Sequence, residues 1–158
     1  MSIDYDPAVV GSLWRKARAE EPDALPLVVN LTRPTPDTGW QNREWPSFLD
    51  RARGAFDAVF MLAVVHHVFV SERVPLMNIA EIASELTSDW LVVEFGAPDD
   101  PTFRLLARGG DELHAGLDPA RFENTFERWF RLVEAQPLEG SVRRLYLMRR
   151  RTSPVKEW

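Results

Sequence analysis

Three uninterrupted apolar stretches constrain the fold of this chain more than any other feature of its sequence. They read LPLVVNL, FDAVFMLAVV and WLVVEFG, over residues 25–31, 56–65 and 90–96. A strand with one face in water alternates apolar and polar residues, whereas continuous runs of Val, Leu and Phe are typical of strands covered on both faces. We therefore predict three strands of a parallel sheet that is covered by helices.

Amphipathic helices are predicted between these strands. Three Asp-Pro pairs, at 6–7, 100–101 and 118–119, each precede an amphipathic run. Asp accepts hydrogen bonds from the free N–H groups of a first helical turn, and Pro suits the first helical position. A fourth helix is predicted over 74–86. The apolar residues that mark the helices are Val9, Val10, Leu13, Trp14 and Ala17 in the first, Phe103, Leu105 and Leu106 in the second, Phe122, Phe126, Trp129 and Phe130 in the third, and Leu76, Ile79, Ala83 and Leu86 in the fourth.

The end of the chain departs from this alternation. Residues 130–138 and 142–149 both have the composition of strands, and only Glu139-Gly140-Ser141 joins them. So short a link forces antiparallel pairing. The predicted fold class is therefore α/β, with helices on both faces of an open sheet and a C-terminal antiparallel hairpin. We predict one domain over residues 1–150 and a C-terminal tail over 151–158.

Composition excludes several classes of function. The 158 residues are 45% hydrophobic, which predicts a soluble globular domain with a core. A formal net charge of −5 argues against general nucleic-acid binding. The chain has no Cys, which excludes disulfides and thiolate metal sites and suits the cytoplasm. Since no signal peptide and no apolar run of about 20 residues is found, we expect no membrane segment.

In open α/β sheets, ligands bind at the carboxyl ends of the strands. Those ends are predicted at Ile3-Asp4, at Asn30-Leu31 and at residues 62–67 and 94–98. At these positions the sequence resembles a class I S-adenosylmethionine-dependent methyltransferase. SIDYDP resembles the end of that family's second strand, LVVNL its third, FDAVFMLAVVHH its fourth and LVVEF its fifth. The terminal hairpin resembles the family's last two strands.

The resemblance implies a set of residues for the cofactor S-adenosylmethionine. Four would hold its adenosine: Asp4 at the ribose hydroxyls, Tyr5 and Leu31 against the adenine, and Asn30 at the adenine edge. Four would lie near the transferred methyl: Met61, Leu62, Ala63, and either His66 or His67 as the catalytic side chain. The resemblance implies no metal and does not identify the methyl acceptor.

One part of the family pattern is missing. The first strand and its Gly-rich loop, which brings backbone close to the cofactor, do not occur in this sequence. In the family that strand is central. We therefore expect a fragment, a late gene start, a split protein or a remnant, with reduced cofactor affinity in isolation. A partner chain that supplies the missing strand is one way to complete the sheet.

Several of these residues also have ordinary structural interpretations. Asp4 either binds ribose or is a turn acid, and Asp6 is interpreted as a helix cap. If His66 and His67 are strand neighbours, they point to opposite faces and do not ligate one metal together. One of them is then a base or orienting group, or one caps the next turn while the other packs in the core. His114 is interpreted as a surface residue.

Three further features have two interpretations each. Glu94, inside an apolar strand, needs a partner: it either holds substrate or pairs with an Arg such as Arg104. The segment 32–46, which contains two Trp, either lines a ligand pocket or is an ordinary surface loop. The basic RRLYLMRRR stretch is interpreted as a strand with solvated charges rather than an RNA site.

Two functions therefore remain open. The first is methyl transfer from S-adenosylmethionine to an unidentified acceptor. The alternative is a non-catalytic α/β domain that pairs with a partner chain through an unpaired strand edge. A nicotinamide dinucleotide is the nearest rival cofactor, because it also requires a ribose-binding acid. Motifs for serine hydrolases, P-loop proteins and zinc proteases are absent from the sequence.

Overall fold

The computed structural model describes residues 1–20, 23–107 and 116–153. His114, expected at the surface, lies outside these residues. The chain divides into two compact units, Met1–Arg51 and Ala52–Trp158. Each unit has its own sheet, and each is described separately below. Within the described residues, no helix combines the length and the apolar character that crossing a membrane requires.

The first unit is a β-α-β arrangement. Strand β1 (Ser2–Asp4) pairs in parallel with β2 (Pro26–Val28), and helix α1 (Pro7–Glu20) connects them. Asp6 caps α1 as predicted, because its Oδ1 accepts the Ala8 N–H at 2.7 Å. A short 3-10 turn (Trp40–Asn42) and helix α2 (Phe48–Ala52) follow.

The predicted apolar face of α1 is only partly covered. Val10 and Ala17 are buried, but Val9, Leu13 and Trp14 are 50%, 36% and 49% exposed. The Arg18 guanidinium lies 5.1 Å from the Trp14 ring centroid, a cation–π distance. The helical spacing in the sequence therefore identified the helix correctly, although most of the residues it grouped are not in the core.

The second unit contains a mixed four-stranded sheet. Its strands are β3 (Phe56–Met61), β4 (Thr87–Phe95), β5 (Phe130–Pro137) and β6 (Arg144–Arg150), in the order β3-β4-β6-β5. β3 and β4 are parallel, whereas β6 is antiparallel to both β4 and β5. The predicted α/β class with an open sheet and a C-terminal antiparallel hairpin is confirmed. The prediction that the three apolar runs share one parallel sheet is wrong, because β2 pairs with β1 in a sheet of its own while β3 and β4 pair with each other.

Helices of the second unit begin at or close to the predicted positions. They are α3 (Leu76–Leu86), α4 (Pro101–Ala107) and α5 (Pro119–Phe126), and a π-helical turn (His67–Ser71) precedes α3. Asp118 caps α5 by accepting the Arg121 N–H at 2.7 Å. Helix α5 ends at Phe126, so Trp129 and Phe130 do not continue it, contrary to the helical pattern. Phe130 begins β5, as the strand predicted over 130–138 requires.

A cluster of aromatic rings forms the core between α5 and the sheet. The Phe122 ring centroid lies 4.6 Å from that of Phe95, 4.3 Å from Phe126 and 5.0 Å from Tyr146. The Tyr146 hydroxyl donates to Glu123 Oε1 at 2.9 Å. Burial, followed by this bond to a carboxylate, raises the pKa of Tyr146 to about 12. These contacts fix α5 against β4 and β6.

The prediction that β3 is covered on both faces is wrong. Phe60 is 65% exposed and only Met61 of this strand is buried. The reason is its position, because β3 is a terminal strand of the four-stranded sheet while β4 lies between two others. β3 also ends at Met61 instead of residue 65, since the backbone turns at Ala63, whose φ is 55°.

The chain is still hydrogen bonded after β6. The Arg151 N–H donates to the Trp129 carbonyl at 2.8 Å. Its Nε also contacts the carbonyl oxygens of Glu127 and Phe130, both at 2.9 Å. The part of the chain held by hydrogen bonds therefore includes Arg151, the first residue of the tail predicted over 151–158.

Candidate functional site

In the first unit, the carboxyl ends of β1 and β2 lie at the same edge of the small sheet. Asp4 is opposite Val28, and its carbonyl accepts the Val29 N–H at 2.9 Å. Asn30 follows one residue later. The parallel pairing therefore places the Asp4 and Asn30 positions at one end of the unit, which is the arrangement expected for ligand binding in such sheets.

Asp4 occupies a tight turn and retains an open carboxylate oxygen. Its Oδ1 accepts the Asp6 N–H at 2.8 Å, and its Oδ2 has no hydrogen-bond partner among the described residues. The side chain is half-buried, whereas the adjacent Tyr5 is 70% exposed. Asp4 is therefore a turn acid, and its Oδ2 can still accept a hydrogen bond from a hydroxyl group.

Asn30 is held by its own loop. Its Oδ1 accepts the Thr32 N–H at 2.9 Å and the Thr32 hydroxyl at 2.7 Å. This arrangement fixes the side chain and leaves its NH₂ group as the donor for a ligand. Leu31 is half-buried beside it. A carboxylate acceptor, an exposed aromatic ring and an amide donor fit the ribose and purine of a nucleoside.

The Trp-containing segment forms a closed loop with exposed rings. Thr38 and Trp45 make an antiparallel bridge, with N–H···O distances of 3.0 and 3.2 Å. Gly39, at φ 87°, has no room for a Cβ because the Glu44 side chain occupies that space. Trp40 and Trp45 are 76% and 66% exposed. The loop is therefore ordered by its own contacts and presents two large rings at the surface.

In the second unit, the turn after β3 contains the residues that the sequence placed near the methyl. Met61 is 3% exposed, Leu62 is 51% exposed, and Ala63 has a left-handed backbone with φ 55°. The Ala63 N–H donates to Glu94 Oε2 at 3.2 Å. A side chain of β4 thus holds the backbone of the turn that follows β3.

Glu94 belongs to an ion cluster that the sequence did not identify. Its Oε1 accepts from Arg143 Nη1 at 2.7 Å. Arg143 also donates from Nε to Asp100 Oδ2 at 2.8 Å and from Nη2 to Asp100 Oδ1 at 3.1 Å. Its Nη2 further contacts Thr102 Oγ1 at 2.8 Å. The suggested partner Arg104 is wrong, because Arg104 is exposed on α4 and Arg143 occupies the place next to Glu94.

The single guanidinium of the cluster is shared by two carboxylates, and one of these carboxylates also caps a helix. Asp100 Oδ1 accepts the N–H groups of Thr102 and Phe103 at 2.9 and 3.0 Å, which caps α4. The hydrogen bond from Arg143 lowers the pKa of Asp100, and the bond to Asp100 raises the pKa of Arg143. Because Arg143 already binds two carboxylates, it is not available to an anionic ligand.

His66 is buried without a polar partner. It is 2% exposed, and neither ring nitrogen has a hydrogen-bond partner within the described part of the chain. Burial first, and then the neighbouring His67 and Arg143, lower its pKa to about 4. His66 is therefore neutral near pH 7 and packs in the core, one of the two interpretations left open.

The premise that His66 and His67 are strand neighbours is wrong. His66 has helical backbone angles of −67° and −32°, and His67 begins the π-helical turn. Their ring centroids are 4.6 Å apart, so the rings are on the same side of the chain. His67 is half-buried. Across the described ranges, no three His, Asp or Glu side chains form a group able to hold a metal ion.

Arg143 and Asp100 are the residues that sequence reasoning missed. Arg143 lies just after the turn at 139–141, and the neighbouring Arg144 is opposite Phe95 in the antiparallel pairing of β4 with β6. The short link constrains the register of β5 with β6 but not that of β4 with β6, so it does not place Arg143 next to Glu94.

Among known proteins, no protein-family model matches the sequence. The nodulation protein NoeA of Rhizobium meliloti (strain 1021) is 26% identical over 150 residues, which cover 95% of this chain and 31% of NoeA. The chain thus spans about a third of the length of the curated relative that it matches.

Two solved structures resemble the fold over most of the chain. The PH0226 protein of Pyrococcus horikoshii OT3 superposes with a TM-score of 0.58 at 9% identity, covering 94% of this chain and 72% of that one. Magnesium protoporphyrin IX methyltransferase (ChlM) of Synechocystis PCC 6803 with bound SAH gives a TM-score of 0.56 at 17% identity, covering 94% and 62%. The chain has the Rossmann-like fold of class I methyltransferases.

Proposed function

We propose that this chain carries the adenosine-binding and acceptor-side part of an S-adenosylmethionine-dependent methyltransferase domain. The observation that carries the proposal is Asp4 at the end of β1, in a chain of this fold. One of its carboxylate oxygens is open, and the exposed Tyr5 ring follows it. That ChlM, a methyltransferase of the same fold, was crystallised with SAH supports S-adenosylmethionine as the cofactor.

The first unit would supply the groups that bind adenosine. The Asp4 carboxylate would accept hydrogen bonds from the ribose hydroxyls, as charged acceptors do strongly. Tyr5 and Leu31 would pack against the purine, and the Asn30 amide would donate to its edge.

The residues that the family resemblance assigns to the methyl group lie in the turn after β3. When bound, S-adenosylmethionine supplies an activated methyl group, and its direct displacement depends mostly on the alignment of donor and acceptor. Leu62 and Ala63 would offer an exposed turn, and the buried Met61 would support it from below. Of the two histidines, the half-buried His67 is the better candidate for contact with an acceptor that must lose a proton.

An interaction domain is the second candidate function. It is favoured by β3, which is a terminal strand of the four-stranded sheet and presents Phe60 at 65% exposure. An unpaired strand edge with an exposed large apolar side chain recruits strands from other chains. In this alternative a partner chain would complete the sheet, and cofactor binding would not occur in the isolated chain.

A thermal melt of the purified chain separates the candidates. Millimolar S-adenosylhomocysteine is expected to raise the midpoint, since a ligand that binds only the folded state stabilises it. At a ligand concentration tenfold above Kd, the gain is about 1.4 kcal/mol, or roughly 3–6 °C for a domain of this size. Nicotinamide adenine dinucleotide at the same concentration is the control for the rival cofactor. Because it also contains adenosine, it is expected to raise the midpoint less than S-adenosylhomocysteine does, and a larger shift would favour the rival. A cooperative melt that S-adenosylhomocysteine leaves unshifted would contradict the proposal and favour the interaction domain.

A further inference from the structure

We infer that Glu94 is a positioning residue for the turn after β3, acting through the backbone N–H of Ala63. The inference rests on the proposed function, which assigns that turn to the methyl side of the cofactor. Glu94 is not proposed to touch the cofactor or the acceptor. Its part is to keep Leu62 and Ala63 in one conformation before any ligand arrives, which lowers the cost of ordering the site on binding.

The turn has a conformation that Ala does not adopt readily. Ala63 has φ 55°, in the left-handed region where the Cβ of an L-residue crowds the backbone. Such a conformation persists when surrounding contacts impose it. One such contact is the bond from Ala63 N–H to Glu94 Oε2, at 3.2 Å. Glu94 therefore opposes the relaxation of this turn.

Both neighbours of Glu94 are hydrogen-bond donors, and this explains why a carboxylate is needed. Oε1 accepts from the Arg143 guanidinium at 2.7 Å while Oε2 accepts from Ala63 N–H. A glutamine of the same size has one acceptor oxygen, because its nitrogen only donates. It can satisfy either Arg143 or Ala63, but not both. A buried apolar side chain would satisfy neither.

The remainder of the cluster holds Glu94 in place. Arg143 is fixed on its other side by two bonds to Asp100, at 2.8 and 3.1 Å. Asp100 is fixed in turn by the first N–H groups of α4. The side chains of Glu94, Arg143 and Asp100 are 12%, 19% and 4% exposed, so water screens these interactions little. A continuous chain of contacts thus connects the turn after β3 to α4 and the start of β6.

The same two strands provide a matched control. Asp89 of β4 accepts from Arg149 of β6 at 2.8 Å, near the other end of the strand pair. This pair is 39% and 51% exposed, and its register position is four residues or more from Glu94. Asp89→Asn removes a carboxylate–arginine pair between β4 and β6 without touching Ala63.

The test is a calorimetric titration of the intact chain and its variants with S-adenosylhomocysteine. Glu94→Gln is expected to weaken binding about tenfold, the equivalent of one charge-assisted hydrogen bond, and Asp89→Asn less than about twofold. Amide hydrogen exchange without ligand gives a second readout that a general stabilising role would not produce. Exchange at Ala63 is expected to accelerate in Glu94→Gln and to stay at the wild-type rate in Asp89→Asn.

The outcomes separate this inference from the function on which it rests. If the folded wild type does not bind S-adenosylhomocysteine, the proposed function fails and the inference fails with it. If the wild type binds and Glu94→Gln binds as tightly as Asp89→Asn, only the inference is overturned. If Glu94→Gln does not fold, amide exchange in the wild type decides. Protection of the Ala63 N–H supports the inference, because this amide donates to Glu94 Oε2, and exchange at the rate of an unstructured amide overturns it.

Discussion

Arg143 Nη1 lies 2.7 Å from Glu94 Oε1, and this pair joins the carboxyl end of β4 to the start of β6. Because Asp100 binds the same guanidinium, removal of Arg143 would leave two shielded carboxylates unpaired. Arg143→Ala is expected to lower the free energy of unfolding by about 3–5 kcal/mol, measured by urea denaturation.

The Arg149–Asp89 pair is the control for that prediction. It lies between the same strands but is about half exposed, and exposed pairs contribute about 0–1 kcal/mol. Arg149→Ala is therefore expected to change stability by no more than that. Equal losses in Arg143→Ala and Arg149→Ala would show that the buried cluster has no special role in stability.

The burial of His66 is expected to make the free energy of unfolding depend on pH. Its pKa is about 4 in the folded chain and 6.5 when unfolded, so the unfolded state binds the extra proton between these values. The free energy of unfolding therefore has its full contribution from His66 above pH 6.5. This contribution falls as the pH drops from 6.5 toward 4, and it does not change further below pH 4. His66→Phe is expected to flatten the change in unfolding free energy between pH 7 and pH 5.

Asp100 does not interfere with that comparison. Its pKa is lowered from the ordinary value of 3.8, so its contribution is present above 3.8 and is lost as the pH falls through the folded value. Urea denaturation at pH 7 and pH 5 therefore reports on His66 without a contribution from Asp100. An unchanged pH slope in His66→Phe would show that another group titrates in this window.

The N-cap of α5 at Asp118 is expected to contribute measurably to the free energy of unfolding. Its side chain accepts the Arg121 N–H at 2.7 Å, and α5 holds Phe122 and Phe126 in the aromatic core. Asp118→Ala is expected to lower the unfolding free energy by about 1 kcal/mol, whereas Asp118→Asn keeps the acceptor and most of the stability. The measurement is chemical denaturation. Identical stabilities for the two variants would contradict the capping role.

The sequence predicted features that depend on local chemistry. All three Asp of the Asp-Pro pairs cap helices, at Asp6, Asp100 and Asp118, because a cap needs only a side-chain oxygen and the next N–H groups. The antiparallel hairpin was predicted for a similar reason, since its link is too short for any other pairing. Asp4 and Asn30 meet at one edge because parallel pairing places both strand ends there.

Features that depend on distant parts of the chain were predicted less well. The partner of Glu94 is 49 positions away, and the register of β6 decides that it is Arg143 instead of Arg104. Phe60 is exposed because β3 has the terminal place in its sheet, which an apolar run does not reveal. His66 and His67 were assigned to a strand that ends earlier, since no local signal announces the left-handed backbone of Ala63.

A calorimetric titration of the wild type, Asp4→Asn and Asp6→Asn with S-adenosylhomocysteine would show whether Asp4 binds the ribose of the cofactor. Asp4→Asn keeps an oxygen for the Asp6 N–H but removes the charge proposed to bind ribose, while Asp6→Asn keeps the cap of α1. We expect single-site binding by the wild type and Asp6→Asn, and binding at least about tenfold weaker by Asp4→Asn. Equal affinities in Asp4→Asn and the wild type, or no binding by a cooperatively folded wild type, would contradict the proposed role of Asp4.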